Sequence, residues 1–245
     1  MIKYTHKDTE RDPPDGQDSI HTKEVLSLHH NEEAIMESGN RESRFESAVC
    51  VASELFLERG IAHVRMTEIA RRTGVGVATL YRYFGTKTGI AIAAMTYLWK
   101  QLRKKFSGIF DSDVFRRQSG YKQVYDLMRM FLVLYTAHRD FLKLLGEFDL
   151  LLVREAVPKE DLEEYAQSII NFYPVFESSY QIGVSDGSVR PLPNVGLFYV
   201  SNAHSFMELS KKLLQGELLS TDDFSNGERE LEMMIESAAY YLKKQ

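Results

Sequence analysis

Two glycines one residue apart, Gly74 and Gly76, separate two short stretches that each carry apolar residues at helical spacing, and no other feature constrains the fold of this chain as much. Glu68 to about Thr73 reads as one helix. Thr67 is placed to cap its free N–H groups, and Gly74 stands where a left-handed stop is needed. Gly76 opens a second helix that ends in an aromatic, basic edge, Tyr81-Arg82-Tyr83-Phe84-Gly85-Thr86-Lys87. Ile69, Ala70, Val75, Val77, Leu80 and Phe84 fall where they lock the pair together, which leaves Ala78, Thr79, Tyr81, Arg82 and Tyr83 pointing elsewhere. This is the pattern of a helix-turn-helix, whose outward residues are expected to meet a DNA groove and its phosphates.

The flanking segments extend the unit. Over Arg41 to Arg59, Phe45, Ala48, Val49, Ala52, Leu55 and Phe56 keep the spacing of one apolar helix face, and Ser43 with Glu46 matches a capping box. Lys87 to about Phe106 reads as a long helix with Ile90, Ala94, Tyr97, Leu98 and Leu102 inward. The charge is segregated in a way that suits a phosphate-facing module. Residues 41–106 hold twelve Lys/Arg against five Asp/Glu, a balance of +7, whereas residues 1–40 carry −5 and residues 107–245 carry −7.

The ordered set Glu58-Arg59-Gly60, Thr67, Ile69-Ala70, Gly74-Val75, Thr79-Leu80-Tyr81, Tyr83-Phe84 and Lys87 resembles the N-terminal domain of the TetR family of transcriptional repressors. Gly76 departs from that pattern where the family often has a Ser cap, and Thr88-Gly89 departs where it usually has acidic residues. Glycine remains an acceptable N-cap. The resemblance implies an all-α protein: a three-helix DNA-binding domain followed by a helical domain for effector binding and dimerisation. It implies a homodimer on a palindromic operator, released by a small molecule. It also implies that Val77, Ala78, Thr79 and Tyr81 face the major groove, that Thr67, Tyr83 and Lys87 bind phosphates, and that Arg82 serves either role.

Three segments are therefore expected: an arm over 1–40, disordered or loosely helical; the DNA-binding domain with its linking helix over 41–106; and the effector and dimer domain over 107–245. The arm contains Asp12-Pro13-Pro14-Asp15-Gly16 and few aromatics. The last segment reads as helices over Tyr121 to Ala137, His138 or Asp140 to Glu155, Lys159 to Gln181 with a kink at Pro174, Asn194 to Gln215, and Asn226 to Lys244. In the last two, Leu231, Met234, Ile235, Ala238, Tyr241 and Leu242, and Phe198, Ser201, His204, Ser205, Met207 and Leu209, suggest an interface. The resemblance implies that these helices form a four-helix bundle with their copies.

The middle helices are crowded with rings, which as a set suggest a cavity for an apolar or aromatic effector. Phe131, Tyr135, His138, Phe148, Phe172, Phe176 and His204 are its candidate lining, with Glu147 and Asn171 as further polar groups. No cofactor is expected. His6, His21, His29 and His30 lack metal-ligand spacing, so no metal is expected either. The body holds no His-x-x-x-His, no Gly-x-Ser-x-Gly and no phosphate-cradling glycine loop, which argues against an enzyme. One cysteine, Cys50, forms no internal disulfide. With no apolar run long enough to span a membrane and no apolar core at Met1-Ile2-Lys3-Tyr4, the expected location is the cytoplasm. An alternative keeps the DNA reader but gives the body a protein partner or ligand-free action.

Overall fold

A computed structural model describes residues 41–216 and 223–244; the arm over 1–40 lies outside the described residues. The first helix, α1, covers residues 41–59 and ends at Gly60, whose φ of +79° favours a residue without a Cβ. Ala48, Val49, Ala52, Leu55 and Phe56 are buried on its inner face. Phe45, expected on that face, is exposed at 37%. The helix is already formed at residue 41, so Ser43 and Glu46 lie inside it and make no capping box.

Next come α2 (Met66–Thr73), α3 (Val77–Phe84) and α4 (Lys87–Phe106). Gly74 closes α2 in the left-handed conformation, and Gly76 is the N-cap of α3, both as the sequence suggests. Thr67 is not the cap. The helix starts two residues earlier, with Arg65 at the N-cap and Thr67 exposed in the first turn. Ile69, Ala70, Val75 and Leu80 are buried with Ile90, Ala91, Ala94 and Met95 of α4, so the reading helices and the linking helix share one core.

α4 continues past that core into the body. Trp99 meets the Phe141 ring edge-on at 4.9 Å and donates its indole N–H to the Tyr165 hydroxyl at 3.3 Å. Burial pushes the Tyr165 phenol up to about 12. Arg103 donates to the carbonyl oxygens of Gln167, Ser168 and Ile169, at 2.6, 2.7 and 3.0 Å, and Lys100 pairs with Glu164. Part of the basic end of α4 is thus spent on satisfying the C-terminal carbonyls of a body helix.

The body contains α5 (Asp113–Arg116), α6 (Gly120–Ala137), α7 (Arg139–Arg154), a 3₁₀ turn over Lys159–Leu162, α8 (Glu163–Ser168), α9 (Tyr173–Ser185), α10 (Val195–Leu214) and α11 (Gly227–Leu242). The single helix expected over Lys159 to Gln181 is broken into three pieces. Pro174 does not kink it. It stands in the first turn of α9, where proline's missing N–H costs nothing; Phe172 is the N-cap, and Asn171 just before it accepts from the Tyr173 N–H at 3.0 Å. α6 and α9 approach so closely that a Cβ on Gly120 would lie 2.0 Å from the Gly183 nitrogen. Among the described residues no strand forms beyond one isolated bridge between Val189 and Lys243, and no helix is long and apolar enough to cross a membrane. From Ser47 onward the chain is one compact unit.

Candidate nucleic-acid interface

The turn between α2 and α3 is fixed by backbone and side chain together. Thr73 donates its hydroxyl to the Ile69 carbonyl at 2.8 Å and accepts from the Val75 N–H at 3.2 Å, spanning the left-handed Gly74. The Gly76 carbonyl then accepts from the Thr79 and Leu80 N–H groups at 2.9 and 3.1 Å, which starts α3 without a side-chain cap. With Leu80 buried, the opposite side of α3 faces solvent. Ala78, Tyr81 and Arg82 are exposed, Tyr81 at 47%; Thr79 and Tyr83 are half-buried, and Val77 packs partly against the core. The Arg82 guanidinium lies 5.7 Å from the centre of the Tyr83 ring, which meets Phe84 edge-on.

The turn from α3 to α4 explains the departure at Thr88-Gly89. Gly85 has φ +69°, and the Thr86 hydroxyl caps α4 by accepting from the Gly89 N–H at 3.0 Å. A Cβ on Gly89 would lie 2.0 Å from the Phe84 carbonyl oxygen, so the tight turn leaves room only for glycine. Lys87 is half-buried, and its ammonium donates to the Ala62 carbonyl at 3.2 Å. Burial holds that ammonium below its usual range, partly offset by the charge of Glu147.

Cations that the α3 pattern does not single out surround this face. Arg65 is exposed at the N-cap of α2, and Arg71 and Arg72 are exposed in its last turn. Arg59 is paired with Glu68 at 2.6 Å, joining α1 to α2. The segment's positive balance is the only sequence signal that covers Arg65, Arg71 and Arg72, and it names none of them individually.

In the body the candidate effector residues separate. Phe131, Phe172 and Phe176 come together with Phe198, Tyr199 and Phe206 around one cavity between α6, α9 and α10. Its internal volume is about 10 Å³, room for the centre of a single water. Phe131 and Phe206 contact at 5.4 Å, and Phe176 and Tyr199 at 5.0 Å. Tyr135, His138, Phe148 and His204 do not line it. Tyr135 is buried beside Arg139 and Gly227, and Phe148 packs on Tyr165. His138 sits at the α6–α7 corner against Phe106, where burial and Lys105 hold its pKa below the usual value, and His204 is exposed on α10. Glu147 is not a cavity group either. It accepts from the Ile61 and Ala62 N–H groups at 2.9 and 2.6 Å.

The suggested interface residues also divide. Leu231, Ile235, Ala238 and Leu242 are internal core, and Phe198, Met207 and Leu209 are half-buried. Met234, Tyr241, Ser201, His204 and Ser205 are exposed, as are Leu197, Val200, Met233 and Tyr240, which the sequence reading passed over.

Residues 50–94 match the family model described as bacterial regulatory proteins, tetR family. The match runs from within α1 through α2 and α3 into α4 and places this segment in the TetR family. The fold is also similar to solved structures over 80–85% of the chain. A putative transcriptional regulator from Saccharomonospora viridis in complex with choline is 18% identical, covers 80% of this chain and 96% of its own, and has a TM-score of 0.59. A putative TetR-family regulator from Mesorhizobium loti is 15% identical over 83% of this chain and 98% of its own, at 0.56. RolR in complex with resorcinol is 15% identical over 85% and 91%, at 0.54. No curated protein matches the sequence. The matched family is described as one of bacterial regulatory proteins, and the segment that matches it here contains the two helices and the glycine turn of the helix-turn-helix.

Proposed function

We propose that the protein is a cytoplasmic repressor that binds a palindromic operator as a homodimer and is released by a small apolar or aromatic effector. The observation that carries this reading is the asymmetry of α3: Leu80 is wholly buried, while Ala78, Tyr81 and Arg82 stand in solvent beside half-buried Thr79. A helix fixed by its core side can present its other side to the major groove. Val77, Ala78, Thr79 and Tyr81 then choose the sequence, and Thr67, Tyr83, Lys87 and Arg82, with exposed Arg65 beside them, engage the backbone. In this reading residues 41–106 read DNA and residues 107–245 bind effector and partner, with the partner on the exposed faces of α10 and α11. Leu197 at 60% and Tyr240 at 68% exposure are apolar surface that such a partner would cover. Two heads about one helical turn apart supply avidity that one head lacks.

The effector would occupy the aromatic cavity formed by Phe131, Phe172 and Phe176. Since that cavity holds about 10 Å³, binding must part α6, α9 and α10, and this movement is what couples the ligand to the heads. The choline and resorcinol bound by two of the structurally similar proteins support small-molecule control. The closed cavity also favours a second reading, in which the body acts without ligand or through a protein partner.

Selection of bound sites from random DNA at two salt concentrations tests the proposal. A palindromic motif that persists at the higher salt is expected. Unselective binding that disappears with salt would reduce the helix-turn-helix to an electrostatic anchor.

A further inference from the structure

Glu147 and Asp149 of α7 are two residues apart and so project about 200° apart around the helix, to opposite sides. On one side the Glu147 carboxylate grips the turn that enters the reading helices. It accepts from the N–H groups of both Ile61 and Ala62, and a Cβ on Gly60 would lie only 2.5 Å from its Oε2. Lys87, at the start of α4, closes the same joint by donating to the Ala62 carbonyl. The entrance to α2 is therefore tied to a body helix, and the start of α4 is tied to that entrance.

On the other side Asp149 accepts from the Lys211 ammonium at 2.6 Å. Lys211 is a cation with a side chain only 10% exposed, and it also pairs with Glu208 at 2.6 Å. Its stem runs past Gly146, where even an added Cβ would lie at ordinary contact distance, 3.8 Å from the Lys211 Cδ. Glu208 is the last member of the outward stripe of α10, formed by Leu197, Val200, Ser201, His204, Ser205 and Glu208. A half-buried carboxylate with two backbone donors and a buried ammonium with two carboxylates are both expensive to leave unpaired, so α7 is held firmly on both sides.

We propose that α7 is the strut that sets the separation of the two reading heads: Glu147 holds the head, and Asp149, through Lys211, holds the helix that faces the partner subunit. Glu147 and Lys211 are positioning residues, with no part in contacting DNA. This rests on the dimeric operator-binding reading above.

The test uses the full chain and two variants, Glu147→Gln and Lys211→Met, each similar in shape to the residue it replaces. Affinity is measured for the selected palindrome, for versions with the half-sites moved apart or together one base pair at a time, and for DNA with a single half-site. Amide exchange is followed at Ile61 and Ala62. Both variants are expected to lose discrimination between correct and altered spacing by on the order of tenfold, a typical size for coupling through a network residue, with half-site affinity unchanged. Ile61 and Ala62 are expected to exchange faster in Glu147→Gln. Unchanged spacing preference in either variant overturns the strut, as does an equal loss on half-site and palindrome. A wild-type chain that selects no paired half-sites overturns the proposed function and the strut with it; faster exchange with unaltered spacing preference overturns the strut alone.

Discussion

An aromatic ring turns outward at Tyr81 of α3 and inward in the core between α6, α9 and α10: Tyr81 keeps 47% of its surface, whereas Phe176 and Phe206 keep 1% and 0%. The same class of residue serves two purposes because the backbone beneath it differs. α3 is eight residues long, anchored by Leu80 and bracketed by glycines, so its remaining positions are free to meet something else. α6, α9 and α10 are longer and mutually packed, and their rings fill the space between them until only about 10 Å³ is left. The head is built to be completed by a partner from outside. The space between α6, α9 and α10 is filled from within, and a ligand would enter it there only by displacing ring-to-ring contacts.

The largest expected effect probes the closed side of this comparison. Phe206→Ala should cost about 3–5 kcal/mol, the range for a large ring removed from a packed core, measured by denaturant unfolding. The vacated space should then take a small apolar molecule, so toluene should raise the melting temperature of the variant and leave wild type unchanged. Tyr81→Ala should alter stability by less than about 0.5 kcal/mol while weakening operator binding. Similar stability losses in the two variants would erase the contrast.

Within the head, the turns can be ranked against each other. Gly89→Ala forces a Cβ toward the Phe84 carbonyl, backbone that cannot swing aside, and should cost about 1–3 kcal/mol. Gly74→Ala has open space around its Cβ and pays only for the left-handed conformation, about 1–2 kcal/mol. If Gly89→Ala is tolerated without loss, the α3–α4 turn is less tight than its geometry implies.

On DNA, Thr79→Ala should lose on the order of 1–3 kcal/mol at particular base pairs, whereas Lys87→Ala should weaken binding to all sequences. Competition against random DNA separates the two. Equal losses on specific and random DNA for both variants would break the division between reading and anchoring residues.

The head was legible because its signals are local. Gly74, Gly76, Ile69, Ala70 and Leu80 each act on neighbours within a few residues, so spacing alone locates the helices and their buried side. The cap at Thr67 failed because Met66 is buried in the shared core, and packing drew the helix start back to it. In the body the decisive contacts are distant in sequence. Nothing near Glu147 announces that it grips Ile61 and Ala62, and nothing near Arg103 announces the carbonyls after Gln167. Phe148 and Phe176 are both fully buried rings, yet one packs against α8 and the other against α10. The interface residues divided for the same reason: Leu231 and Met234 share a helical face by spacing, but only the first lies under a neighbouring helix.

The smallest expected effect concerns how the head is held at its open edge. Glu68 accepts from the Arg59 guanidinium, and this hydrogen bond, helped by the charges of Arg59, Arg72 and Arg71, holds its carboxyl below the usual carboxylate range. In the unfolded chain the group titrates near its ordinary value of about 4.3. The folded state therefore binds its proton less readily than the unfolded state. The contribution of the pair is present above the ordinary carboxylate pKa and is lost as pH falls through the folded value. Because the pair is solvent-accessible, salt should weaken it as well. Unfolding of wild type and Glu68→Gln should accordingly differ at neutral pH and converge under acid conditions, with a smaller difference in high salt. A difference that stays constant as the carboxyl is protonated would mean that Glu68 supports α2 by packing rather than by charge.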